Sequence, residues 1–261
     1  VIDASMLGRG LLFATGAPAA SAAYVLLHTP TTAPSPDARF EANRCATRDE
    51  GLARLRADGF ATVPGVDCAR LASTLDSRRR RQKAVEVSKG RLHYDLVHSR
   101  HRDDADLRRS IEALAGPLRD MAEAYCETRR VKLTQVQFLD SLPGSAAQIW
   151  HSDNAARGLT FMLPLEAIRC DMGPTEVLPR SHASWAAFPT TRALACGPVE
   201  TGDALVFDAR LLHRGGANGS RARRRVLVLR YDVSDPPGTG LLGTALRRVV
   251  AHAWAQLSDL S

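Results

Sequence analysis

The sequence predicts an α+β protein, mainly β, in which helices early in the chain pack outside an antiparallel sandwich or barrel. Three observations predict it. The amphipathic helical patterns all precede Arg130. After it, short runs rich in Val, Leu, Phe and Thr alternate with Gly, Pro, Asn and Asp, the texture of strands joined by turns. Apolar residues are 44% and charged residues 24% of 261 positions, enough to build one large core and too apolar for wholesale disorder.

Residues 1 to 40 stand apart. Positions 11 to 27 are apolar and small after Arg9, and 29 to 37 are rich in Pro, Thr and Ser. They read as a targeting segment, a membrane anchor or an N-terminal extension, followed by a linker. Gly16 and Pro18 speak against a membrane-spanning helix. A cytoplasmic or organellar protein is expected, meeting a membrane only if this segment is an anchor. A single domain is expected over 41–261.

From Thr47 a short helix is predicted, with Leu52 and Leu55 at helical spacing and Gly59 as its end. Phe60-Ala61-Thr62-Val63 reads as a strand closed by Pro64-Gly65. A second helix is expected over 67–81. Residues 84 to 104 are polar and His-rich with no clear period. The strongest helix runs over 104–129, with Leu107, Ile111, Leu114, Leu118, Met121 and Ala122 as its stripe despite Pro117. Strands are predicted near 131–140, 146–151, 158–165, 175–178, 204–208 and 224–232. The loops 84–103 and 183–196 are expected to line an entrance.

The formal charge of +7 is spread along the chain, whereas nucleic-acid binding needs it gathered on one face. The run of four Arg at 78–81 reads as a solvated helix end. Cys45, Cys68, Cys126, Cys170 and Cys196 form no C-x-x-C pair, which argues against a thiolate zinc site or a disulfide framework.

The chemistry-bearing pattern is H-x-D, and it occurs three times: at His93-Tyr94-Asp95, His101-Arg102-Asp103 and His151-Ser152-Asp153. The second resembles the start of a kinase catalytic loop but lacks its Asn and any Asp-Phe-Gly, and reads as a solvated loop. The first has nothing downstream to complete it. The third ends an expected strand, so period 2 would send His151 and Asp153 to one face. His213 follows 62 residues later, after the buried strand pattern at 204–208. Two imidazoles and one carboxylate fill one face of Fe(II) and leave the other open for a keto acid and O2.

Arg224 stands 11 residues past His213 and opens a strand. A guanidinium there can grip the distal carboxylate of 2-oxoglutarate with two parallel hydrogen bonds. Arg221, Arg223 and Arg225 are competing candidates, although alternation puts Arg223 and Arg225 on the face opposite Arg224. Gln135 and Gln137 share a strand face and are candidates for binding co-substrate or substrate, with an outward polar face as the alternative. Arg91, Arg100 and Arg157 either meet an anionic substrate or are solvated. Trp150, Phe161 and Phe207 read as core.

With these pieces in order, the chain resembles the phytanoyl-CoA dioxygenase family. The opening match is Asp58-Gly59-Phe60-Ala61-Thr62-Val63-Pro64-Gly65. The core matches are His151-Ser152-Asp153, the segment from Gly173-Pro174-Thr175-Glu176 through Val177-Leu178-Pro179-Arg180-Ser181-His182, and His213-Arg214-Gly215-Gly216-Ala217-Asn218-Gly219-Ser220 with Arg224. The resemblance implies a double-stranded β-helix (jelly-roll) core with Fe(II), 2-oxoglutarate and O2 as its chemistry. It implies His151, Asp153 and His213 on the metal and Arg224 on the co-substrate; Ser220, within the matched segment, and Gln135 and Gln137, from their strand face, are the further candidates around the co-substrate.

The implied reaction hydroxylates an unactivated C–H of a small-molecule or lipid-like substrate and releases succinate and CO2. Asp153 favours hydroxylation over halogenation, since family halogenases lack that carboxylate; desaturation or cyclisation stays open with the same ligands. The family usually has Gly where Arg180 stands, so the turn either differs there or sends Arg180 towards the pocket. His182 and Ser181 are expected to hydrogen-bond within their loop. Two other classes compete: a zinc hydrolase on the same ligands, which lacks a nominated base and leaves Arg224 without a purpose, and a non-catalytic jelly-roll binding module.

Overall fold

The computed structural model describes residues 44–65, 68, 84–96, 105–154, 156–183 and 193–234. The N-terminal extension, the helix expected over 67–81 (Cys68 apart), Arg100, the His101-Arg102-Asp103 motif and the entrance segments 97–103 and 184–192 lie outside the described residues.

Helix α1 (Arg48–Asp58) starts where its cap dictates: the Thr47 side chain accepts from the Glu50 N–H, and the Glu50 carboxylate accepts from the Ala46 N–H. Gly59 ends it in the left-handed region at φ 87°, a conformation that costs glycine nothing. Strand β1 (Phe60–Pro64) follows at once. Helix α2 (Ala105–Cys126) carries Pro117 inside it and buries Leu118, Met121 and Ala122, the stripe its periodicity predicted.

The strands β2 (Val85–Ser88), β3 (Arg91–Asp95), β4 (Val131–Ser141), β5 (Gly158–Pro164), β8 (Asp203–Asp208) and β10 (Arg224–Val233) join β1 in a seven-stranded antiparallel sheet of order β1-β8-β5-β10-β4-β3-β2. A second sheet, β7-β6-β9, is formed by β6 (Thr175–Val177), β7 (Leu194–Cys196) and β9 (His213–Gly215). Both helices cover one face of the large sheet, through a core that includes Leu55, Met121, Phe138, Phe161, Leu229 and Tyr231. Phe60, Val177, Cys196, Leu205 and Phe207 pack the large sheet's other face against the small sheet. These are the layers of a mainly β jelly roll with helices outside. Among the described residues no helix is long and apolar enough to cross a membrane, and the five cysteines are free thiols.

Two expectations need correction. Residues 84 to 104 show no clear period in the sequence beyond a short strand that could hold His93-Tyr94-Asp95, yet β2 and β3 form a hairpin across Lys89-Gly90, with Gly90 at φ 74°. Conversely, 146–150 is not a strand; only His151 forms an isolated bridge, with His213. His151 and His213 exchange both backbone hydrogen bonds (3.0 and 2.9 Å), so regular pairing would set residue 149 opposite Gly215. Instead the Gln148 N–H donates to the Gly215 carbonyl, and the Gly215 N–H turns to the Gln148 side-chain Oε1 at 2.9 Å. The extra residue breaks the ladder as a bulge does.

Candidate metal centre

Alternation aims the site. On β10, Leu227, Leu229 and Tyr231 enter the helix-side core, so Arg224, Val226 and Val228 face the space between the sheets. On β4 the same rule gives Val136 and Phe138 to the core and Gln135, Gln137 and Leu139 to that space. The registers place Arg91, Ser141 and Arg224 in one row across β3, β4 and β10, and His93, Leu139 and Val226 in the next. His93, Leu139, Arg224 and Val226 from these rows, together with Gln148, His151, Asp153, Thr160, Met162 and His213, wall a cavity of about 680 Å³, counting its open mouth; Arg91 and Ser141 are buried next to Arg224 but outside the lining.

His151, Asp153 and His213 bring their ligand atoms within 4.8 Å of one another. Their convergence is not strand alternation, because Asp153 lies beyond the bridge residue in irregular backbone. It is held there by the Thr160 hydroxyl, which donates to Asp153 Oδ2 at 2.6 Å, and by Arg230 Nη1 on the Asp153 carbonyl. Both imidazoles are oriented alike: Nδ1 of His151 meets the Ile149 carbonyl at 2.9 Å and Nδ1 of His213 the Leu211 carbonyl at 3.0 Å. A carbonyl can only accept, so each Nδ1 carries the proton and each Nε2 keeps a free lone pair.

The electrostatics agree with a metal-ready set. Burial, aided by the His151 ring, pushes His213 down to about 4, so it is neutral at pH 7 and its 3.7 Å approach to Asp153 is no ion pair. Burial works against the Asp153 carboxylate, but His213, His151 and the Thr160 hydrogen bond outweigh it and lower its pKa. Neutral imidazoles and an ionised carboxylate are the forms that ligate metal.

Arg224 is 4% exposed and lines the cavity, while Arg223 pairs with Asp140 and Arg225 with Glu166 outside it. Arg221 is exposed. Gln135 and Gln137 line the cavity. Ser220 does not: its hydroxyl is taken up by Asn218 and Ala222 in the turn before β10. Arg180 keeps the left-handed turn at φ 66° and reaches Asp58 rather than the cavity. Ser181 accepts from the Leu212 N–H, outside its own loop, and the buried His182 Nδ1 finds no hydrogen-bond partner. Trp150 and Phe161 are buried as expected, and Phe207 serves both core and cavity wall. Arg157 lies over the Tyr125 ring, outside the lining.

The sequence sets aside His93 and leaves Arg91 open between an anionic substrate and solvent; the structure brings both to the site's surroundings. His93 lines the cavity, where burial foremost, with Arg91 and His151, holds it down to about 4. Arg91 is buried beside Arg224 rather than solvated. The signal was present: Val85 and Val87 alternate before a Lys-Gly turn, and Leu92 and Tyr94 alternate after it.

A sequence profile of the phytanoyl-CoA dioxygenase family matches residues 38–226. No curated protein matches the chain. Among solved structures, AviO1 from Streptomyces viridochromogenes Tue57 is similar at a TM-score of 0.59 and 23% identity, over 74% of this chain and 98% of its own. SnoN, described as a non-haem α-ketoglutarate-dependent epimerase from nogalamycin biosynthesis, is similar at 0.61 and 22%, over 74% and 90%. SnoK, described as a carbocyclase of the same biosynthesis, is similar at 0.59 and 16%, over 76% and 90%. These likenesses establish the fold.

Proposed function

From the premise that the chain belongs to the phytanoyl-CoA dioxygenase family, we propose that it is an Fe(II)- and 2-oxoglutarate-dependent dioxygenase that hydroxylates an unactivated C–H of a small molecule. The observation that carries this reading is the sharing of one cavity by the His151, Asp153, His213 set and the buried Arg224. A zinc hydrolase has no use for that guanidinium. It also needs a base, and among the described residues Asp153 is the only carboxylate in the lining. SnoN has been crystallised with Fe3+, α-ketoglutarate and nogalamycin RO, and EvdO2 from Micromonospora carbonacea var. aurantiaca with 2-oxoglutarate, which supports the same pairing of metal and keto acid here.

In this reading His151, Asp153 and His213 hold the iron on one side, leaving the rest of its coordination to co-substrate and O2. Bound iron supplies the activation of O2 that couples decarboxylation of 2-oxoglutarate to C–H oxidation. Arg224 fixes the distal carboxylate of 2-oxoglutarate and so sets which way the keto acid points. Gln135 and Gln137 offer neutral donors and acceptors to co-substrate or substrate. Leu139, Met162, Val226 and Val228 line the same cavity and limit its water. The epimerase and the carbocyclase share this fold, so the outcome is read from the product, where hydroxylation adds one oxygen.

The test is turnover with Fe(II), 2-oxoglutarate, O2 and ascorbate. Succinate and CO2 should form in equal amounts, and His151→Ala should abolish both. Turnover that survives replacement of iron by zinc and needs no 2-oxoglutarate would replace this reading with the hydrolytic one.

A further inference from the structure

Beyond Val228 the cavity side of β10 continues with Arg230 and Asp232, since Leu229 and Tyr231 enter the helix-side core. Opposite them β4 carries an extra residue. Arg230 pairs with Gln135 and Tyr231 with Leu133, so the pairing skips Thr134. A bulge of this kind re-aims its side chain, and the Thr134 hydroxyl donates to Asp232 Oδ2. Asp232 is 7% exposed, and a buried carboxylate is tolerated only where donors surround it. Two more donors complete the set: Asn154 Nδ2 reaches Oδ1 at 2.8 Å, and Arg230 Nε reaches Oδ2 at 3.0 Å.

These two donors also fix the turn that bears Asp153. Arg230 Nη1 donates to the Asp153 carbonyl at 3.3 Å, and Asn154 is the next residue in the chain. The Asn154 N–H donates to the Ala209 carbonyl at 2.9 Å, and the Ala209 N–H to the Gly158 carbonyl at 3.0 Å, which ties the turn to the end of β8 as well. Gly158 lets Asp232 come close. A Cβ there would stand 2.8 Å from Asp232 Oδ1 and 2.4 Å from the Tyr231 carbonyl. Charge gives Asp232 a second task. Arg230 is a cation whose field reaches the Asp153 carboxylate, and a cation there opposes the binding of another. The ion pair with Asp232 at 3.0 Å offsets it.

We propose that Asp232, outside the cavity lining, is a positioning residue of the metal centre: it holds the turn that presents Asp153 and offsets the charge of Arg230 beside it. The proposal rests on the assignment of the metal to His151, Asp153 and His213, and adds a second carboxylate on which that set depends. Its loss disturbs the metal and leaves the Arg224 end of the cavity as it was.

The experiment titrates the metal-free full chain with Co(II), whose visible d–d bands report ligand geometry. Asp232→Asn keeps the shape and removes the charge, and should weaken Co(II) binding by about 10-fold. Asp232→Ala also releases the turn; it should weaken binding by about 10- to 100-fold and alter the bands. If Asp232→Ala does not fold, the nearly isosteric Asp232→Asn decides alone. Asp140→Asn is the control. That carboxylate is also buried in the large sheet, but pairs with Arg223 away from the cavity, so affinity and bands should stay as in wild type. With iron, Asp232→Asn should raise the Fe(II) concentration that gives half-maximal succinate formation and leave the KM for 2-oxoglutarate unchanged. Wild-type affinity and bands in Asp232→Asn overturn the proposal. An equal loss in Asp140→Asn does so too, because it would reduce Asp232 to a generic support of the sheet. A wild type that binds no Co(II) sinks the metal assignment and the proposal with it, whereas normal wild-type binding with unaltered Asp232 variants sinks only this one.

Discussion

The histidines of the cavity are tuned by burial, and that has a measurable cost. His93 and His213 are both held down to about 4, against roughly 6.5 in an unfolded chain. As pH falls from about 6.5 towards 4, the unfolded chain takes up protons that the folded one refuses, so stability is lost across that window. Urea unfolding of the metal-free protein at pH 7 and pH 5 should show the loss. His93→Asn should make the difference smaller, because His93 is no part of the ligand set; an unchanged difference would mean that His93 is not buried as described. Thr160 offers a second test. Its hydroxyl orients Asp153 from 2.6 Å, and partners of that kind are worth about 10- to 100-fold in metal affinity. Thr160→Val should weaken Co(II) binding by that factor and leave the far-UV circular dichroism spectrum unchanged.

At the level of elements, the turn after β6 stores strain. Arg180 holds φ 66°, which costs a side-chain-bearing residue about 1 kcal/mol relative to glycine. Among the described residues its ion pair is with Asp58 at 3.6 Å; the Arg180 side chain is exposed there, so the pair contributes little. Arg180→Gly should therefore raise stability by up to about 1 kcal/mol, read as a shift of the urea midpoint at constant slope; a drop would show that Arg180 holds something its contacts do not reveal. Legibility also divides by element. Helix α2 could be read because one face is apolar at helical spacing, and α1 because Leu52 and Leu55 stand between a Thr47 start and a Gly59 stop. Strands β4, β5, β8 and β10 could be read because long Val/Leu/Phe runs end in turn residues. The β2–β3 hairpin was missed because its inward positions, Arg91 and His93, are polar, so the alternation looked solvated. The 146–151 segment misled for the opposite reason: its composition suits a strand, but the one-residue slip opposite Gly215 is a tertiary event.

For the molecule as a whole, the site depends on two sheets and a helix layer holding register. Tyr125 of α2 donates to Asp208 Oδ2 at 2.6 Å, and Arg210 grips both oxygens of the same carboxylate. This fixes the helix layer to the end of β8, next to the chain that carries His213 forward. The metal set was legible as residues, since a carboxylate two positions from one His and a distant second His fit only one of the three H-x-D motifs. What folds them together was not: Asp153 arrives through an irregular turn, and the sheet that carries Arg224 extends into a hairpin whose inward positions are polar. The central claim is that one cavity holds iron and 2-oxoglutarate together. Anaerobic addition of Fe(II) and then 2-oxoglutarate to the purified protein tests it directly, by visible absorption. The account predicts a charge-transfer band that saturates at one equivalent of each and is absent from His151→Ala. Iron binding with no band in the wild type, or a band undiminished in His151→Ala, would contradict it.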